Sequence, residues 1–194
     1  MVIASVAPVG ATTFPYDLDA GRETALTAAG AGLFALGYFH PNARTGLSED
    51  RLARLDPAAV PGWDRIALGR WDESAALASD RLVTALLIAP AGLLLTEGGR
   101  ERPGTLGLVY GETLLLTVGA TQALKSLFGR PRPFAYARAE GPQQDLRRRP
   151  TARRSFPSGH TANAFAAATF LGTVFGRLQP GDAARTWVWA GGLG

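Results

Sequence analysis

The sequence predicts an all-α, membrane-embedded helical bundle, and three observations carry that expectation. Apolar residues make up 46% of the 194 and charged residues 19%, below the roughly 25% charge of an ordinary soluble domain. The deficit is concentrated in long uncharged runs that alternate with Arg-rich segments, as in a chain that crosses a membrane several times, although the mean hydropathy is only +0.05. No stretch alternates apolar and polar residues in the manner of a strand, and no internal repeat is visible. The length suits one domain over residues 1–194.

The first residues, Met1 to Phe14, lack a basic leader and make a poor signal peptide. Thr24 to Phe39 is uncharged and rich in Ala and Gly, which suits close helix–helix contact in a bilayer. Tyr38, Phe39 and His40 fall where an interface is expected, and Pro41-Asn42 ends the helix. Residues 42–80 form a polar inter-helix segment in which Trp63, Ile66, Ala67 and Trp71 recur at helical spacing. That spacing fits either a helix lying along a membrane surface or a small helix packed on the bundle.

Leu82 to Thr96 is the second uncharged run. It spans only roughly 22 Å as a helix, short of the roughly 30 Å hydrocarbon core, so it must recruit flanking residues. Glu97 to Gly104 reads as a turn, and Thr105 to Leu127 as a long apolar helix containing Glu112 and, near its end, Lys125. Phe128 to Phe156 is a Pro- and Arg-rich loop, Ser158 to Gly176 the next helix, and Gln179 to Asp182 another turn. A further helix begins at Ala183, and the expected bundle is truncated within its penultimate or last helices.

Composition also bounds the chemistry. With no cysteine, disulfides and thiolate metal sites are excluded. Of 20 basic residues only Lys125 is a lysine, and the net charge of +4 arises mostly between Arg130 and Arg154. A local basic cluster with acids elsewhere suggests an anion site more than a nucleic-acid surface.

Two strings concentrate the chemistry: Lys125 followed seven residues later by Arg132-Pro133, and Pro157-Ser158-Gly159-His160 opening the next helix. Lysine offers a compact charge and arginine a planar fork that holds two oxygens at once. Pro131 and Pro133 restrict the backbone around Arg132. Ser158 sits at an expected N-cap, and Gly159 lets a ligand approach the N–H groups of the first turn, where the helix dipole favours an anion. His160 lies within the same reach and suits proton donation to a leaving alkoxide. The residues thus predict an anion cradle with an acid beside it.

This pair resembles the first two of the three signature motifs of the type-2 phosphatidic acid phosphatase superfamily. That group takes in membrane lipid phosphatases, class A bacterial acid phosphatases and vanadium haloperoxidases. The resemblance covers Lys125 to His160 and implies hydrolysis of a phosphate monoester or diphosphate of a lipid through a phosphohistidine, without metal or other cofactor. Lys125, Arg132, Ser158 and Gly159 would bind the phosphoryl group and His160 would protonate the leaving group. Phosphatidate, phosphatidylglycerol phosphate and an isoprenyl diphosphate are the substrate types it suggests, with membrane lipid as surroundings and no nucleic acid. A soluble acid phosphatase or haloperoxidase on the same bundle, or a non-catalytic phospholipid-binding relative, are the alternatives. The third motif, which supplies a further Arg and the nucleophilic His with its Asp, has no match here. The only histidines are His40 and His160, and His40 reads as an interfacial residue. The expectation is of a fragment that does not turn over by itself.

Other charged residues have plainer readings. Glu112 lies 13 residues before Lys125, roughly 20 Å along a helix, so a hydroxyl or Arg on a neighbouring helix is its expected partner. Arg147, Arg148, Arg149, Arg153 and Arg154 form a solvated loop face, of which Arg153 and Arg154 are placed to draw anionic headgroups. The resemblance implies a bacterial inner-membrane protein with its site toward the periplasm, whereas the basic loop would by itself favour the cytoplasmic side.

Overall fold

The computed structural model describes residues 14–68, 72–136, 142–179 and 183–193, and among them the fold is all-α with no strand. The helices are α1 (Ala20–Phe39), α2 (Pro41–Arg44), α3 (Glu49–Ala53), α4 (Gly62–Arg65), α5 (Glu73–Ile88), α6 (Glu97–Glu101), α7 (Pro103–Phe128), α8 (Pro142–Arg148), α9 (Gly159–Leu178) and α10 (Ala184–Leu193). The long helices fall where apolar runs predict them. Most of the differences lie between those helices.

The second apolar run recruits residues on its N-terminal side. Asp72 caps α5 by accepting from the N–H groups of Ser74 and Ala75, at 2.9 and 3.1 Å, so the helix starts nine residues before Leu82. Pro90 cannot donate an N–H, and the chain tightens into a 3-10 run over Ala89–Leu95. Glu73–Leu95 is the one segment among the described residues long and apolar enough to cross a membrane, and only 11% of its most apolar window is buried in the protein. The several crossings expected from sequence therefore reduce to one segment among the described residues.

Helices α1 and α7 pack at close range. A Cβ on Gly119 would sit 2.5 Å from the carbonyl oxygen of Gly30, and one on Gly37 would overlap the backbone of Gln122 and Ala123. These small residues let two backbones meet. Polar bonds cross the same seam. The Thr27 hydroxyl donates to buried Glu112 at 3.0 Å, and buried Ser126 donates to the Gly37 carbonyl at 2.6 Å. Glu112 thus has the hydroxyl partner expected for it.

Two apolar cores flank the middle of the chain. Leu93, Leu106, Phe170, Val174 and Leu178 join α7, α9 and the 3-10 run. Leu47, Phe134, Ala135 and Ala152, with Leu52, Leu55 and Leu146, form the other. That second core corrects the expectation for residues 42–80. Of the stretch from Trp63 to Trp71, the described residues form the single turn of α4 and a turn as far as Leu68, and Trp71 lies outside the described residues. The segment's leucines instead pack beneath the Pro- and Arg-rich loop. Glu97 to Gly104, expected as a turn, contains α6, capped by the Thr96 hydroxyl. His40 caps α2, its Nδ1 accepting from the Asn42 N–H at 3.2 Å. Expectations for Met1 to Thr13 and for the Pro180–Asp182 turn fall outside the described residues.

The glycine seam gives a test with opposite signs. Gly37→Ala is expected to destabilise the fold by about 1–3 kcal/mol through overpacking. Gly32→Ala, on the same helix with open space around it, should stabilise by about 0.5–1 kcal/mol. Urea unfolding of both variants measures the pair, and equal effects would show that α1 and α7 do not meet at Gly37.

Candidate functional site

Gly129 ends α7. Its φ of +54° places it in the left-handed region, and its N–H closes on the Lys125 carbonyl at 3.0 Å. The Asn42 side chain donates to the Ser126 carbonyl at 2.8 Å, satisfying another of the last carbonyls. From there the chain runs past Arg130, whose guanidinium pairs with Asp64, to Arg132. Two backbone bonds then tie this stretch to the far end of the loop: Arg132 N–H to the Ala152 carbonyl (2.7 Å) and Ser155 N–H to the Arg130 carbonyl (3.1 Å). The loop is closed on itself, and the end of α7 faces the start of α9.

At that start Ser158 is the N-cap, its hydroxyl oxygen accepting from the Thr161 N–H at 3.3 Å and from the Thr161 hydroxyl at 3.0 Å. Its own proton is left to donate. The Lys125 ammonium lies against Gly159, where a Cβ would approach it to 3.3 Å. A side chain larger than hydrogen would crowd the ammonium against the helix N-terminus.

The result is a cavity of about 300 Å³ lined by Lys125, Arg132, Pro133, Arg154, Ser155, Ser158, Gly159 and His160. The structure therefore brings together Lys125, Arg132, Ser158, Gly159 and His160, and adds Arg154. Arg153 is placed elsewhere: it does not line the cavity, and its guanidinium reaches the Thr45 hydroxyl at 3.4 Å. Of the remaining loop arginines, half-buried Arg147 donates to the Ala135 carbonyl at 3.0 Å, whereas Arg148, paired with exposed Glu49 at 2.7 Å, and Arg149 are exposed as expected.

Electrostatically the cavity is one-sided. Among the described residues no carboxylate lies within ion-pair distance of Lys125, Arg132 or Arg154. The Arg154 guanidinium donates to neutral Gln122, and Arg132 Nε is buried with no partner, an orphaned donor beside the cavity. Burial, then the charges of Arg132 and Arg154, hold the Lys125 ammonium below the ordinary lysine value of 10.5. Burial lowers Arg132 and Arg154 as well, with Arg154 adding its charge against Arg132. A tetrahedral oxyanion would supply the missing negative charge and the missing acceptor.

Sequence reasoning missed the residues nearest the His160 ring. Ser79 Oγ lies 3.0 Å from Nδ1 and Asp80 Oδ1 3.2 Å from Nε2, both from α5. Ser79-Asp80 stands immediately before an apolar run and carries no motif, so only the packing of α5 on α9 discloses it.

An all-α bundle whose two central helices present a cavity lined by cations and a histidine is the class the fold and site define. Residues 106–194 match the model of the PAP2 superfamily, the family the two motifs resemble. The match supports a hydrolase acting on phosphorylated substrates. Neither a curated protein nor a solved structure gives a significant match.

The depressed lysine fixes a pH dependence. Folded Lys125 releases its proton below 10.5, so between its lowered value and 10.5 the unfolded chain holds more protons and stability rises with pH. A bound anion raises the folded value again, so binding in that window takes up a proton. Affinity for sulfate, whose charge is constant there, is expected to fall as pH rises through the lowered lysine value. Lys125→Arg should flatten the curve in a calorimetric titration, and an unchanged slope would exclude Lys125 as the titrating group.

Proposed function

We propose that the cavity binds the phosphoryl group of a membrane lipid phosphate, and that the chain is a phosphatase of the PAP2 type using cationic side chains in place of a metal. The observation that carries this reading is the buried Arg132 Nε with no partner among the described residues, in one cavity with Lys125 and Arg154, to which no described carboxylate is paired. Half-burying three positive charges together costs the fold, and such a cost is understandable where a ligand returns it.

Each residue has a role that follows from its position. Arg132 and Arg154 clasp equatorial oxygens, Lys125 neutralises charge at the helix start, and the Ser158 hydroxyl with the first-turn N–H groups of α9 complete the cradle. As phosphorus–oxygen bond breaking builds negative charge, these donors are already aimed, so little reorganisation is needed. His160 gives its proton to the leaving oxygen. The nucleophile implied by the family resemblance has no counterpart in the sequence: His40 caps α2 and His160 serves as the acid.

A lipid is favoured as the phosphate's carrier because α5, the segment apolar enough to cross a membrane, is also the helix that touches His160. The headgroup would sit in the cradle while the chain lies along the lipid-facing side of α5. Leu82 and Ile88, exposed on that helix, would then face acyl chains.

Two measurements test the reading. Orthovanadate, competed by inorganic phosphate, is expected to bind the 194-residue chain. Arg132→Ala should weaken it roughly 10- to 100-fold, the worth of a charged hydrogen-bond donor, whereas Arg153→Ala should change it little. Wild-type affinity in Arg132→Ala would remove the cradle. Because the sequence has no cysteine, Ile88→Cys reports on the membrane by itself. It should resist an impermeant maleimide in sealed vesicles and react only after detergent, and full labelling before detergent would put α5 in water.

A further inference from the structure

His160 opens α9, but its ring is held from outside the motif. Ser79 and Asp80 are consecutive on α5, so their side chains diverge by about 100° around that helix. They nevertheless meet opposite edges of one imidazole, at Nδ1 and Nε2. A pair of contacts on both nitrogens fixes the ring's tilt and also which face is turned which way. Stability does not account for it. The His160 and Asp80 side chains are 53% and 63% exposed, where an ion pair contributes little. The other charged groups around the ring, Lys125, Arg132 and Arg154, line the cavity and are all cations. Asp80 is the carboxylate in contact with it.

We propose that Asp80 is a positioning residue for His160: its carboxylate accepts from Nε2–H and so leaves Nδ1 as the nitrogen that exchanges a proton. The proposal rests on the phosphatase reading above. Of the two contacts, that to Asp80 is charge-assisted and that to Ser79 neutral, so the weaker Ser79 bond is the one that yields. The leaving oxygen of a bound ester takes the place of Ser79 Oγ. When the phosphorus–oxygen bond breaks, its electron pair goes to that oxygen, phosphorus bonds to the oxygen of an attacking water, and the Nδ1 proton moves to the leaving oxygen. The ring ends neutral, with its remaining proton on Nε2 against Asp80. The arrangement also explains why a helix carrying no motif residue packs on the start of α9.

The test is nitrogen-15 NMR of the imidazoles in the full chain, which has two histidines, so that His40 serves as an internal control. Neutral wild-type His160 is expected to carry its proton on Nε2 alone. Asp80→Ala, a helix-favouring change at an exposed site, should lose that single-tautomer pattern, Asp80→Glu should restore it, and His40 should not move. Ser79→Ala should leave the Nε2 proton in place. Orthovanadate should shift Nδ1 more than Nε2. Identical His160 signals in wild type and in an Asp80→Ala variant of unchanged helicity would overturn the proposal, as would vanadate that binds without moving Nδ1. Failure of wild type to bind vanadate at all is a separate result: it overturns the phosphate-site reading and this proposal with it.

Discussion

The two backbone hydrogen bonds between Arg130–Arg132 and Ala152–Ser155 are the constraint on which the site depends. They close the loop between α7 and α9, and it is they that bring Arg154 and the start of α9 back beside Arg132 and the end of α7. Closure also sets a problem. It places Arg132, Arg154 and Lys125 around one cavity, where each raises the energy of the others. The fold answers from underneath. Leu47, Phe134, Ala135 and Ala152 form an apolar base beneath the loop, and Asp64 ties Arg130 down from the preceding segment. Segment 42–80, polar in composition, is in this sense the floor of the site.

A second constraint bears on the other side of the cavity. The Lys125 ammonium lies against Gly159, so the last turn of α7 has to end beside the start of α9. The glycine contacts with α1 help to hold it there, because backbones in direct contact cannot slide without collision. Ser126, one residue from Lys125, is fully buried and bonded to Gly37. Asn42 holds the Ser126 carbonyl from the next short helix. The Gly30, Gly37 and Gly119 seam is thus coupled to the aim of the ammonium, although it lies outside the cavity itself.

How much of this was legible in the sequence follows from the range of each interaction. The N-cap at Ser158, the helix end near Lys125 and the grouping of Arg132 with His160 are local patterns of residue type and spacing, and they could be read directly. The partner type of Glu112 followed from the cost of burying an acid in an apolar helix, but its identity, Thr27, is a contact 85 residues away and was not readable. Arg153 and Arg154 are adjacent and chemically identical, and only the turn at Pro150–Arg153 decides that one faces the cavity and the other Thr45. The tryptophan spacing misled for a related reason: four residues at helical spacing report a helix only where the chain continues it, and here α4 ends at Arg65.

The placement of α5 ties these threads together. Its middle carries Ser79 and Asp80 to the imidazole, while its C-terminal half is a largely apolar surface with no buried residue. With no buried residue of its own, the helix is held by its contacts with α9 and with the 3-10 run. The polar contacts at its middle, together with the Tyr110 hydroxyl donating to the Leu87 carbonyl at 2.7 Å near its C-terminal end, help to define how it sits on α9. The contacts that hold the His160 ring are thus also contacts that hold α5 against α9.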